Sequence, residues 1–153
     1  MSTYKGSLPE QVKYDRKLPE FFERFYEVSD TNSEDAHEEY ARSLTDDATL
    51  IMGIKEAKGY DNILEFRKGL WTGPVKKRLH TLEKIFPFGD KADEVMLYGK
   101  VDYGLKNGKD ITVQWAGRAL LVEEGGKLKM KFYQVYMVSL CHWYLSLTPT
   151  ECD

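Results

Sequence analysis

Residues 94–140 have the sequence EVMLYGKVDYGLKNGKDITVQWAGRALLVEEGGKLKMKFYQVYMVSL. Runs rich in β-branched and aromatic residues are separated here by two tight-turn signals, Asn107-Gly108 and Gly125-Gly126. Asn-Gly between extended runs is a strong hairpin signal, because both residues accept the left-handed backbone that a two-residue turn requires. Three strands joined by two such turns predict an antiparallel meander, and long strands of this kind twist and bend.

The chain ahead of this meander predicts amphipathic helices that cover the concave face of the sheet. Pro19 favours the first turn of a helix, Thr31 and Glu34 have capping-box spacing, and Gly73-Pro74 ends the third helix. Asp46 and Asp47 are predicted to form a turn. Three helices are predicted, beginning at residue 17, at about residue 31 and at residue 59, and the second runs to about residue 44. The predicted strands are 49–52, 55–58, 78–88, 94–105, 110–123 and 127–140.

The 153 residues suit one domain. We predict an α+β fold, in which a strongly bent antiparallel sheet forms a cone-shaped barrel with three N-terminal helices. The expected organisation is an N-terminal arm at residues 1–16, a single domain at 17–145 and a C-terminal tail at 146–153. The concave side of such a sheet encloses a pocket for a small apolar molecule.

Composition narrows the range of functions. The net charge of −3 gives no electrostatic support for nucleic-acid binding, and no stretch of about 18 apolar residues predicts a membrane span. The basic cluster Lys76-Lys77-Arg78 is interpreted as a solvated strand end. Two cysteines without a framework and a polar N-terminal segment predict a cytoplasmic protein. No metal-binding or nucleotide-binding motif occurs, so we expect no metal and no cofactor.

Three side chains are candidates for proton-transfer chemistry. His80 lies early in a predicted cavity strand, and histidine can be general acid or base near neutral pH. The alternative is a core histidine bonded to a backbone carbonyl. Asp30, at the end of the first helix, could orient the imidazole, or could be an ordinary helix-end aspartate. Tyr26, one turn earlier on the same face, could polarise a carbonyl or could be a core aromatic.

The order of helices, short hairpin, helix and long strands resembles the nuclear transport factor 2-like (NTF2-like) superfamily. The likeness covers about residues 19–138, with Leu44-Thr45-Asp46-Asp47-Ala48-Thr49-Leu50 and Gly59-Tyr60-Asp61-Asn62-Ile63-Leu64-Glu65-Phe66 as its local pieces. Within that superfamily the chain looks most like the SnoaL-like polyketide cyclase group, especially its fungal members.

The chain is also similar to the scytalone dehydratases of the same fold. Their first helix ends in a Tyr-Asp pair, and a histidine lies on the strand after the third helix. Asp30 and His80 match that aspartate and histidine, while Ser29 stands at the tyrosine position. The second catalytic histidine and the Ser/Asn pair of those enzymes have no clear counterpart. The resemblance implies an acid/base pair formed by Asp30 and His80 inside the main cavity.

The function expected from this resemblance is a cofactor-independent polyketide cyclase or isomerase of secondary metabolism. It would use proton transfer for cyclisation, lactone or pyrone closure, isomerisation or dehydration. The alternative is a non-catalytic small-molecule-binding module or dimeric adaptor. A homodimer through the sheet face opposite the helices is expected. His80, Asp30 and Tyr26 are the predicted catalytic residues, and the predicted substrate contacts are Phe22, Ser29, Met52, Trp71, Trp115 and Tyr136.

Overall fold

Three helices precede most of the sheet in the computed structural model, which describes residues 2–137. They are α1 (Lys17–Ser29), α2 (Glu34–Arg42) and α3 (Tyr60–Thr72). The start of α1 is as the sequence predicts. The predicted capping role of Thr31 is wrong, because its hydroxyl donates to the carbonyl of Glu27 at the end of α1. Ser33 caps α2 instead, accepting a hydrogen bond from the backbone N–H of Ala36 at 3.3 Å.

Six strands form one sheet in the order β2-β1-β6-β5-β4-β3. Both predicted hairpins, β4–β5 and β5–β6, are confirmed. Asp46 and Asp47 do not form the predicted turn but lie within β1, where the register shifts between Leu44 and Thr49. The strands are β1 (Leu44–Met52), β2 (Lys55–Lys58), β3 (Val75–Phe88), β4 (Glu94–Leu105), β5 (Asp110–Glu124) and β6 (Lys127–Met137).

The sheet is mixed rather than purely antiparallel, because β1 and β6 run parallel. Parallel neighbours need a long crossover connection, and the whole segment from β2 to β5, including α3, supplies it. A period-two pattern reveals a strand but not the direction of its partner. The expectation of an antiparallel sheet is therefore corrected at this one pairing, while the α+β architecture is confirmed.

The helices pack on the concave face, and glycines make room for two aromatic rings there. A Cβ atom at Gly99 of β4 would lie 3.1 Å from Cζ2 of Trp115. A Cβ atom at Gly117 of β5 would lie 3.1 Å from Cε2 of Tyr133. Because both strands are bare at these positions, the two large side chains can lie close to the sheet, beneath α1.

The opposite, convex face carries several exposed apolar side chains. Phe86 and Met96 lie side by side on β3 and β4, and Phe88 and Tyr136 are also exposed. The predicted tail, residues 146–153, and the last predicted residues of the domain, 138–145, lie outside the described range. None of the described helices is long and apolar enough to cross a membrane.

Candidate active site

Asp30 and His80 form the polar centre of the candidate site. Asp30 caps the C-terminal end of α1, and β3 runs past that end. One carboxylate oxygen lies 2.5 Å from Nδ1 of His80, and the other accepts the backbone N–H of His80 at 2.5 Å. The predicted hydrogen-bond contact between these two side chains is confirmed. Two contacts to one residue fix both the position of the strand and the orientation of the imidazole.

Arg78 is buried beside this pair, so its interpretation as a solvated strand end is wrong. Its Nε lies 3.3 Å from the Asp30 carboxylate, and its Nη2 donates to the carbonyl of Ser29. Its guanidinium also lies 4.7 Å from the ring centroid of Trp71. A buried arginine needs such partners, and alternation along β3 places position 78 on the same face as His80.

Arg67 of α3 adds a second buried cation. It is 0% exposed and donates to the carbonyls of Val28 and Thr31 at 3.1 and 2.8 Å, which close the end of α1. Neither arginine was among the predicted site residues, although Arg67 falls on the predicted inner stripe of the third helix with Ile63 and Trp71. Within residues 2–137, Asp30 is the one carboxylate that pairs with either guanidinium, so these residues give the region around His80 an excess of positive charge.

This environment keeps the imidazole neutral. Burial lowers the pKa of His80 below its usual value of 6.5, and the charges of Arg78 and Arg67 lower it further, against the opposing effect of Asp30. Burial alone would raise the pKa of Asp30, but hydrogen bonds from His80 and the charge of Arg78 outweigh it and hold that pKa below 3.8. Asp30 is therefore ionised and His80 uncharged at neutral pH.

The second ring nitrogen of His80 is the atom left available for chemistry. With Nδ1–H donating to Asp30, Nε2 carries a lone pair. No residue in the range 2–137 hydrogen-bonds to Nε2, and the side chain remains 13% exposed. An oriented, neutral imidazole with a free Nε2 has the arrangement of a general base.

A pair of tyrosines borders the imidazole. The hydroxyls of Tyr26 and Tyr133 lie 2.9 Å apart, and the Tyr26 ring centroid is 5.2 Å from that of His80. Burial raises the pKa of both phenols, so both stay protonated. Because one hydroxyl donates to the other, one O–H of the pair remains able to donate to a further acceptor.

Most of the predicted substrate contacts lie inside the protein, but they do not form one surface. Trp115 lies edge-on to His80 with the ring centroids 5.8 Å apart, and Phe22 stacks near Tyr26 at 6.5 Å. Trp71 belongs to a separate buried cluster below Arg78. Ser29 contributes its carbonyl to Arg78, and Met52 packs against the edge of the core.

Tyr136 is a wrong prediction. It pairs with Ala116 on the face opposite Trp115, and it is 44% exposed. Tyr133, three residues earlier, points inward. The alternation rule separates these two tyrosines but does not say which of them is inside. The informative signal was Gly117, whose missing side chain leaves space for an aromatic ring on the neighbouring strand.

Asp30 and His80 do not line the main cavity described, where they were expected to lie. That cavity, of about 700 Å³, lies between α1, α2 and the β5–β6 turn. We call it the α1–α2 groove; its walls include Phe21, Phe25, Arg24, Asp35, Glu39 and Leu128. Among residues 2–137, no group of three or more His, Cys, Asp or Glu side chains could hold a metal ion.

Comparisons with solved structures identify the fold. A candidate scytalone dehydratase from Novosphingobium aromaticivorans superposes with a TM-score of 0.69 at 16% identity, covering 81% of this chain and 83% of its own. An NTF2-like protein of unknown function from Exiguobacterium sp. 255-15 superposes with a TM-score of 0.63 at 18% identity, covering 76% of this chain and 97% of its own. The fold is NTF2-like.

A third NTF2-like neighbour is a hexachlorocyclohexane dehydrochlorinase, LinA type 2. Its TM-score is 0.66 at 17% identity, covering 80% of this chain and 84% of its own. No protein-family model and no curated protein matches the sequence. At these identities the likeness shows the fold, and the chemistry has to be argued from the residues of this NTF2-like chain.

Proposed function

We propose that this protein is a cofactor-independent acid/base enzyme acting on a polyketide-like or similarly carbonyl-rich small molecule. The observation that carries the proposal is the free Nε2 of His80, on an imidazole that Asp30 orients and the burial keeps neutral. Two fold neighbours bear names of elimination enzymes, a dehydratase and a dehydrochlorinase, and elimination begins with or includes proton removal. The substrate class itself comes from the resemblance to SnoaL-like cyclases.

The proposed reaction starts with proton transfer from carbon to nitrogen. Nε2 of His80 accepts a proton from a carbon next to a substrate carbonyl, and Asp30 stabilises the imidazolium that forms. The enolate oxygen accepts a hydrogen bond from Tyr26 or Tyr133, whose hydroxyls are protonated donors. The enolate then attacks a second carbonyl, whose oxygen takes the proton from the imidazolium, or expels a β-hydroxyl group, which leaves as water with that proton, or takes the proton back at another carbon. These outcomes are cyclisation, dehydration and isomerisation respectively.

The test is the His80→Ala variant, assayed by proton–deuterium exchange at the activated methylene of cyclic 1,3-diketones and by turnover of polyketide-type substrates. We expect a loss of roughly 10²–10⁴-fold, the usual contribution of a positioned base. His37→Ala is the matched control, because His37 is also buried but has no hydrogen bond at Nδ1 within the described range. An unchanged rate in a folded His80→Ala protein would overturn the proposal.

A second candidate is a non-catalytic binding module of the same fold. One observation favours it, namely that the α1–α2 groove, of about 700 Å³, does not reach His80 and has Phe21, Phe25 and Leu128 in its lining. An apolar ligand bound there, with affinity unaffected by His80→Ala but lost on Phe21→Asp, would support this reading against the enzyme.

We also propose that the protein is a homodimer through its convex sheet face. Phe86, Phe88, Met96 and Tyr136 expose apolar surface on that face, with Phe86 and Met96 directly paired. Light scattering of the wild type should give twice the chain mass of 17.8 kDa, and Met96→Lys should give the monomer. A wild-type protein that is monomeric at tens of micromolar would contradict this.

A further inference from the structure

The C-terminal end of α1 is closed by side chains from other elements. Cations are favoured at such an end because it carries partial negative charge, yet the last turn of α1 contains no basic residue of its own. Nη2 of Arg67 in α3 donates to the carbonyls of Val28 at 3.1 Å and Thr31 at 2.8 Å. Nη2 of Arg78 in β3 donates to the carbonyl of Ser29. Two distant parts of the chain therefore supply the positive charge at this helix end.

Asp30 lies at the position of the helix where a carboxylate is least favoured. An acidic group there adds to the negative end of the helix dipole. Its side chain is also only 5% exposed, and a buried ion needs partners. Two N–H groups of His80 hold the carboxylate at 2.5 Å each, and Nε of Arg78 forms an ion pair with it at 3.3 Å. Because the imidazole is neutral, Arg78 is the charged partner among these.

Arg78 and His80 share one oxygen of this carboxylate. Oδ1 pairs with Nε of Arg78 and also accepts the hydrogen bond from Nδ1 of His80. Alternation along β3 puts both side chains on one face, with a single residue between them. The guanidinium therefore offsets part of the charge of Asp30 at the atom that holds the imidazole, and this weakens the attraction that would favour a second proton on the ring.

Packing fixes the guanidinium of Arg78 beside Asp30. Its side chain is 7% exposed, and its guanidinium carbon lies 4.7 Å from the ring centroid of Trp71. The guanidinium of Arg67 lies 5.4 Å from the centroid of the same indole. A guanidinium over an aromatic face is held by cation–π attraction and by stacking, and an ammonium group cannot stack in this way. The charge of Arg78 is thus held in one place relative to the carboxylate.

We propose that Arg78 is a positioning residue of the candidate site, which holds Asp30 ionised and in place so that His80 remains a neutral base. This inference rests on the proposed function of His80. The other charged or titratable side chains of the described range that surround these three residues are Tyr26 of α1, Tyr40 of α2, Arg67 of α3, Tyr103 of β4 and Tyr133 of β6.

The test compares two variants of Arg78 that differ in charge. Arg78→Gln keeps a side-chain N–H donor but loses the charge. The pKa of His80, measured by NMR titration of its ring protons in the full chain, should therefore rise by about one unit, the lower end of what a neighbouring charge produces. Arg78→Lys keeps the charge, so the pKa of His80 should stay below 6.5.

Arg118 supplies the matched control, because it belongs to a similar group of side chains on the convex face. Its Nε lies 2.8 Å from the Glu94 carboxylate, and its guanidinium lies 5.5 Å from the ring centroid of Phe132. The side chain of Arg118 is 38% exposed, so solvent screens this charge. Arg118→Gln should therefore leave the pKa of His80 unchanged.

These measurements are made on the His80 ring itself, so they remain valid even where His80→Ala refutes the enzyme. An unchanged pKa of His80 in folded Arg78→Gln overturns the inference. If Arg78→Gln does not fold, Arg78→Lys decides the question. A pKa of His80 that stays below 6.5 supports the role of the charge, and a value at or above 6.5 shows that guanidinium packing, which lysine cannot reproduce, sets it instead.

Discussion

The two concave regions of this protein differ in how their charges are satisfied. In the α1–α2 groove, Arg24 donates to Glu39 and Glu27 at 2.7 Å each, and Arg42 reaches Glu38 at 3.5 Å. All of these side chains are about half exposed. Around His80, by contrast, two buried arginines face one carboxylate, and one imidazole nitrogen has no partner among residues 2–137.

The difference shows that the described groove and the candidate catalytic residues lie in different parts of the protein. Exposed ion pairs are screened by water and leave each group close to its ordinary behaviour, whereas burial strengthens every uncompensated charge. The α1–α2 groove therefore offers space lined by paired charges, and the region around His80 offers a base whose pKa is lowered. The proposed activity follows the second region, and each prediction below compares the two.

The largest effect is expected for Asp30→Asn. The amide leaves Arg78 without its carboxylate and offers one acceptor oxygen to the two N–H groups of His80 that Asp30 holds. Turnover should therefore fall by about 10⁴-fold and stability by about 3–5 kcal/mol. Asp35→Asn, which alters a carboxylate in the wall of the α1–α2 groove, should leave turnover unchanged. Equal losses in the two variants, each measured on folded protein, would remove the distinction between the regions.

Tyr26→Phe should have a smaller effect on turnover. A dedicated oxyanion donor is worth roughly 10²–10³-fold, but Tyr133 retains its hydroxyl and can donate in place of Tyr26. Stability should also fall by about 1–3 kcal/mol, because the Tyr133 hydroxyl loses its buried partner. Kinetics of Tyr26→Phe, Tyr133→Phe and the double variant separate the roles of the two hydroxyls. If the losses in the two single variants add up to the loss in the double variant, the two tyrosines do not substitute for each other as donors.

The pH dependence tests the charge state of His80. Because its pKa lies below 6.5, kcat/KM should stay level through neutral pH and fall about tenfold per unit only below that lowered pKa. The free energy of unfolding should depend on pH in the same direction. The contribution of His80 to stability is fully present above pH 6.5, the pKa of an unfolded histidine, and is lost as the pH falls through the lower pKa of the folded state. An acid limb centred above 6.5 would show that the imidazolium is the stable form.

The smallest effect is expected for Arg24→Ala in the α1–α2 groove. Exposed ion pairs of this kind stabilise a protein by roughly 0.2–1 kcal/mol each, so thermal unfolding should change little and turnover should not change. A loss of activity comparable with that of Asp30→Asn would place the reaction in the groove and favour the binding surface there over His80.

Local sequence signals were sufficient for most of the fold. The start of α1 at Lys17, the hairpin at Asn107-Gly108 and the long strands of the meander depend on neighbouring residues, and these are confirmed. The parallel pairing of β1 with β6 was not predictable in this way. It joins residues about 80 positions apart in the chain, such as Leu50 and Tyr133.

Some residues of the candidate site could likewise be predicted from the sequence, and others could not. Asp30 and His80 were selected because a sequence pattern resembling known enzymes marked them, and their contact is confirmed by the structure. Their catalytic roles stay predictions. Arg78 was assigned to the surface because charge runs usually are solvated, and the choice between Tyr133 and Tyr136 had no signal in the strand itself.

By itself, then, the sequence determined most elements and both hairpin turns, since these depend on neighbouring residues, while the pairing of Asp30 with His80 was implied by the resemblance to known enzymes. Only the tertiary structure decided that β1 runs parallel to β6, that Arg67 and Arg78 are buried, and that Tyr133 points inward. The physical reason is that burial and charge compensation are set by groups distant in sequence, and these interactions determine the pKa of His80.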